Sequence, residues 1–228
     1  MYSIKKYVNI KNLFILLLIL ILFRYSAIFQ ILPIVLFKLI GIKPNQIFLT
    51  TFSDICLLIL LITIFRKDLN KEFKIFKKNI LKNLDIGFTY WIIGLSIMLA
   101  SNIIINFIFR VGGAQNEKLV QEMISKSPIL MLLVAGIIAP IIEELIFRKS
   151  FKNAFTNKYL FIILSGLVFG LLHVISGNSL LQLLYIIPYS SLGIAFAISY
   201  CKTETVFTPI SMHIIHNTLL IMISIFLH

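Results

Sequence analysis

The chain is poor in cysteine, acid and polar linker sequence. Cys56 and Cys201, far apart and in or beside apolar stretches, are its two cysteines. They make no disulfide framework and no metal-type spacing. Nine Asp and Glu stand against 21 Lys and Arg, for a formal charge of +12. There is no internal repeat, low-complexity tract or long linker. No small-x-small cleavage site follows the N-terminal apolar stretch, so an uncleaved first span is expected rather than a signal peptide. Apolar sequence is abundant. The chain is 59% hydrophobic, against about 45–50% in a soluble domain. This composition predicts an all-α integral membrane protein with no separate soluble domain. The excess of positive charge could suggest nucleic acid. The basic residues lie between apolar runs, however, and read as topology signals and as contacts with anionic lipids at the inner face.

About seven transmembrane helices are predicted, at roughly 20 residues each. They cover about 12–32, 48–65, 86–109, a run from Pro128, then 159–177, 180–200 and 205–227, and residues 34–40 could be a short interfacial helix. Residues 1–127 would hold three spans and 128–228 the four that carry polar groups. Lys5, Lys6, Lys11, the stretch Arg66–Lys82, Arg148–Lys158 and Lys202 would fall on one side. Lys38, Lys43, Arg110, Lys118 and Lys126 would fall on the other. The richer side is expected in the cytoplasm, with the N-terminus. Arg66–Lys82 reads equally as an amphipathic helix on the inner leaflet or as a solvated loop. RVGGAQNEKLVQEMISKS reads as a polar loop.

Charge inside the spans is the informative feature. Glu143 and Glu144 interrupt the run PILMLLVAGIIAPIIEELIF. A charge at mid-bilayer costs from a few to more than ~10 kcal/mol, so it marks a candidate functional site. Glu144 and Arg148 are four apart and can pair on one helix face, which leaves Glu143 free. A structural ion pair at the inner membrane edge explains the pair equally well. The fifth span carries FGLLH, with Phe169 and His173 on one face. If the fourth helix continues to Ala154 and turns near Asn157–Lys158, Glu143 and His173 each lie roughly 15 positions from the turn, at one depth. The seventh span carries HIIHN, with His213 and Asn217 four apart. His216 faces slightly differently and has no assigned role. A polar active-site cavity within the bundle is therefore expected. A buried Glu can take a proton from water, an imidazole can orient that water, and a second imidazole with an amide can donate to an oxyanion. Glu143, His173 and His213 could instead hold zinc, although HExxH spacing is absent.

EELIFR, FGLLH and HIIHN, in this order, resemble the E-E-x-x-x-R, F-x-x-x-H and H-x-x-x-N motifs of the CAAX protease and bacteriocin-processing family of intramembrane proteases. The resemblance covers roughly the last 100 residues. It implies an intramembrane endopeptidase in which Glu143 activates water with His173, while His213 and Asn217 stabilise the oxyanion. Glu144, Arg148 and Phe169 would be supporting residues. Members have been described both as metalloproteases and as proteases needing no catalytic metal. The metal-independent reading is preferred here, because Asn217 suits a donor better than a ligand. The Ile-, Lys- and Asn-rich composition suggests a bacterial cytoplasmic membrane. A peptide cut near the inner face, as in bacteriocin or pheromone maturation or self-immunity, is then a better substrate than a prenylated CAAX protein. A non-catalytic immunity or scaffold protein and a proton-coupled transporter are the competing readings. Intact motifs argue against the first and the lack of repeats against the second.

Overall fold

A computed structural model describes residues 7–175 and 177–227. Lys5 and Lys6 lie outside these residues. Among the described residues the secondary structure is helical, with one isolated bridge between Val8 and Phe155. The helices are α1 (Ile10–Arg24), α2 (Ile31–Leu39), α3 (Gln46–Lys78), α4 (Ile80–Phe109) and α5 (Gln115–Lys126). They continue with α6 (Pro128–Ala154), α7 (Lys158–Val174), α8 (Ile186–Thr203) and α9 (Phe207–Leu227). Five helices are long and apolar enough to cross a membrane, or six if the bent pair Ile10–Arg24 and Ser26–Leu39 is one span. The protein is thus an all-α, multi-pass membrane protein. Reaching the expected seven would require both the bent pair, which turns by 60°, and the 17-residue α7.

Two segments differ from the sequence reading. Arg66–Lys78 is neither a loop nor a separate surface helix, but the continuation of α3. One reason is a buried acid on its inward face. Glu72 accepts from Lys149 Nζ at 2.7 Å, Tyr200 Oη at 2.8 Å and the Val206 amide at 2.8 Å. Phe73 and Phe76 of the same stretch pack against Phe207. The stretch RVGGAQNEKLVQEMISKS contains a helix, α5. Left-handed backbone at Arg110, Gly112 and Gly113 turns the chain into it, and a single apolar face carrying Val120 and Ile124 docks it on the bundle.

The hairpin that matches Glu143 to His173 has the expected form. α6 runs on to Ala154, and Asn157 caps α7 by accepting from the amides of Tyr159 and Leu160. α7 then packs tightly on α8. A Cβ on Gly166 would lie 2.5 Å from Ile194 Cγ1 and 2.9 Å from the Ile194 amide, and Gly193 would meet Gly166 Cα at 3.0 Å. Small residues four apart allow such an approach between helices in lipid. This crossing sets the position of His173, two turns further along α7. Gly166→Val is expected to lower stability by about 1–3 kcal/mol through overpacking. Thermal unfolding of the purified protein in detergent checks this, and an unchanged midpoint would contradict the packing account.

Candidate active site

α6 is not a regular helix around its two glutamates. π-helical turns cover Val134–Ile138 and Glu144–Ser150, so Glu144 opens the second and Glu143 precedes it. Pro140 has no N–H to donate to the carbonyl of Gly136. α9 uses the carbonyls released there. Asn217 Nδ2 donates to Ala135 O at 2.9 Å and Thr218 Oγ1 to Gly136 O at 3.4 Å. The sequence pattern offered Asn217 either oxyanion binding or a hydrogen bond between helices; one of its two N–H groups makes such a bond, anchoring α9 to the bulge in α6. Irregular helical turns of this kind often accompany functional sites.

The two glutamates have different surroundings. Glu144 and Arg148 are completely buried and paired at 3.0 Å between Oε2 and Nε. The guanidinium also lies 4.8 Å above the Phe169 ring, and its Nη1 donates to Ser165 Oγ at 3.4 Å. This gives Phe169 a physical role, as an aromatic face for a buried cation. Ser165 was not singled out from the sequence, although Ser165, Phe169 and His173 recur every four residues. The other oxygen of Glu144 meets His213 Nδ1 at 2.9 Å. Glu144 therefore joins the first motif to the third, a link that the pairing with Arg148 alone does not reveal.

Glu143 faces a cavity of about 260 Å³ lined also by Phe169, His173, His213, His216 and Asn217. Its Oε1 lies 4.0 Å from His173 Nε2, and its Oε2 lies 3.6 Å from His213 Nε2. These gaps are too long for direct hydrogen bonds and suit a bridging water. The far side of each ring fixes the tautomer. His173 Nδ1 sits 2.8 Å from Phe169 O, which can only accept. His213 Nδ1 faces the Glu144 carboxylate. Each neutral imidazole thus carries its proton on Nδ1 and turns an Nε2 lone pair towards Glu143. Three acceptors converge, and a water bound among them would donate its two hydrogens to two of the three. Phe169 and Tyr189 hold the His173 ring, with centroids 4.3 and 4.7 Å away.

The remaining polar residues divide into anchors and neighbours. His216 is buried and accepts from Trp91 Nε1 at 3.3 Å, tying α9 to α4. Asp54, in the apolar part of α3, interacts electrostatically with Glu143, and α3 packs on the Ala139–Glu143 turn. The sequence analysis missed Asp54. Its signal was the same one that marked Glu143, an acid inside an apolar run. Among the described residues, no group of three or more His, Cys, Asp or Glu is placed to hold a metal ion. Glu143, His173 and His213, the alternative zinc set, do not form such a group.

Residues 125–219 match the family described as Type II CAAX prenyl endopeptidase Rce1-like. The chain is 29% identical over 123 residues to "Putative membrane peptidase YdiL" of Bacillus subtilis, covering 52% of this chain and 47% of that protein. It is 28% identical over 142 residues to "UPF0177 protein YxdF" of Lactococcus lactis, covering 60% of this chain and 77% of that protein. The match thus spans about half the length of the Bacillus relative. No solved structure matches the chain. The family resemblance is shown for the segment that carries all three motifs.

Removing Glu144 strands a buried guanidinium, whereas Glu143 faces the cavity. Glu144→Ala is expected to cost about 3–5 kcal/mol. Glu143→Ala is expected to leave the unfolding midpoint nearly unchanged. Thermal unfolding of both variants in one detergent tests the distinction, and equal losses would contradict it.

Proposed function

We propose that the protein is an intramembrane endopeptidase. The observation that carries this reading is the approach of His173 Nε2 and His213 Nε2 to 4.0 and 3.6 Å from the Glu143 carboxylate on one cavity wall. In this reading a water sits between the carboxylate and the two Nε2 atoms. Glu143 takes one of its protons as the water oxygen attacks the scissile carbonyl. The carbonyl oxygen becomes an oxyanion, stabilised by the free N–H of Asn217. His213, with its Nδ1 on the Glu144 carboxylate, helps hold the water through its Nε2 lone pair. Protonated Glu143 passes its proton to the leaving amine, and the peptide C–N bond breaks. His173, held by Phe169 and Tyr189, orients the water.

The site also bears on where the substrate enters. The basic end of α3 meets the start of α4 at one end of the bundle, and α5 joins α4 to α6 at the other. Residues Asn116, Glu117 and Val120 of α5 line the cavity. The proposal therefore takes the α5 end as the entrance. With the basic stretch in the cytoplasm, as the charge distribution predicts, this is the outer end. It replaces the expectation of cleavage near the inner face. A short membrane-associated peptide of bacteriocin or pheromone type suits a cavity of this size.

Two measurements test these points. In vesicles containing the purified protein, His173→Ala is expected to slow cleavage of membrane peptides by roughly 10²–10⁴-fold. Asn217→Ala should lower both rate and unfolding midpoint, because its amide also anchors α9. Full cleavage by His173→Ala would overturn the catalytic reading. In intact cells, a cysteine at the exposed Lys118 position should react with a membrane-impermeant maleimide. Protection there, with labelling at Lys74→Cys, would reverse the assigned entrance.

A further inference from the structure

The cavity has an unbalanced charge. Glu117 and Glu143 line it, and no Lys or Arg does. Arg148 is sealed beneath it against Glu144. Glu143 has two imidazoles beside it. Glu117, on the first turn of α5, is not matched by any cation. It makes no ion pair among the described residues, and burial alone pushes its carboxyl above the ordinary range. Lys118 beside it points out to solvent. A half-buried, unpaired carboxylate is costly unless something arrives to pair with it.

A second polar group at the same edge also lacks a partner. Tyr189 Oη is buried without a hydrogen bond among the described residues. The Asn116 side chain approaches it without hydrogen-bond geometry. Tyr185 and Tyr189 both lie close enough to Glu117 to feel its charge. This edge is thus a carboxylate with hydroxyl and amide groups around it, facing a wall that is otherwise largely apolar. Tyr189 also stacks on His173, so the edge adjoins the reacting centre.

We propose that Glu117, with Tyr189 and Asn116, forms a specificity subsite that takes a cationic group of the substrate peptide beside its apolar scissile segment. The chemistry it recognises is a lysine or arginine side chain, or a free N-terminal amine. This inference rests on the endopeptidase reading. The carboxylate pairs with the cation, and Tyr189 Oη and the Asn116 carboxamide complete its hydrogen bonds. The same contact positions the neighbouring peptide bond over Glu143. The helix that carries Glu117 enters after the left-handed residues Gly112 and Gly113, so α5 doubles as one wall of the substrate site.

The test uses the full-length protein in vesicles and matched apolar peptides carrying Lys or Gln at one position, each with a free or acetylated N-terminus. The wild-type protein should favour the Lys peptide in kcat/KM by roughly tenfold, the scale of one charge-assisted contact. Glu117→Gln should bring the ratio close to one. Glu117→Lys should invert preference towards a Glu peptide. If acetylation, rather than Lys→Gln, lowers kcat/KM in the wild type and not in Glu117→Gln, the cation is the N-terminal amine. An unchanged ratio in both Glu117 variants overturns the proposal. Peptide binding to Glu143→Gln, which needs no turnover, separates the two levels of inference. Preferential binding of the cationic peptide without any cleavage by the wild type would sink the endopeptidase reading and leave Glu117 standing. Equal binding of all four peptides, with Lys or Gln and with free or acetylated N-termini, would sink the subsite.

Discussion

The structure depends on the pairing of one buried cation. Arg148 cannot shed its proton at any ordinary pH, and it sits in the middle of the bundle with no exposure. Glu144 makes this tolerable by facing the guanidinium at 3.0 Å, and the ring faces of Phe169 and Phe196 close around it. A buried pair of this kind gains little for stability over apolar packing, but breaking it is costly. It therefore acts mainly as a constraint. Glu144 must stay where Arg148 is, His213 must stay where Glu144 is, and the unused nitrogen of His213 then turns to Glu143. α6, α7 and α9 are tied together through this chain of contacts.

The departures from regular helix serve the same arrangement. Pro140 and the π turns release carbonyls from α6, and Asn217 and Thr218 on α9 take them up. The glycine-lined crossing of α7 and α8 brings His173 to its depth. At the far end, Glu72 gathers a lysine, a tyrosine hydroxyl and a backbone amide into one buried cluster. It holds the long extension of α3 to the turn between α8 and α9. Polar interactions thus sit at the centre and at both ends, the α5 end being held by Tyr185, Asn106 and Gln182, with apolar packing between them.

Much of this was legible in the residues. The costly glutamates, their spacing to Arg148 and the equal distances of Glu143 and His173 from Lys158 all follow from helix geometry and the expense of charge in lipid. Other parts were not. The bond between Glu144 and His213 joins residues 69 apart in sequence, and no local spacing encodes it. α5 was hidden because its sequence is mostly polar and its few apolar residues count only against a surface already formed. The extension of α3 read equally as loop or surface helix because the partners of Glu72 lie on α6 and α8 and in the turn before α9. Asp54 was different: its signal was present and was passed over. The span count is ambiguous for a physical reason, since α7 is short and the first apolar stretch bends.

The convergence of two imidazole lone pairs on one carboxylate is the feature from which the proposed chemistry follows, and Glu143 is its centre. The most direct measurement is the rate of peptide-bond cleavage by Glu143→Gln and wild-type protein in the same vesicles, after their unfolding midpoints are shown to agree. The substitution keeps the shape and removes the base. The account predicts a loss of at least about 10²-fold. Cleavage by Glu143→Gln at the wild-type rate would contradict it.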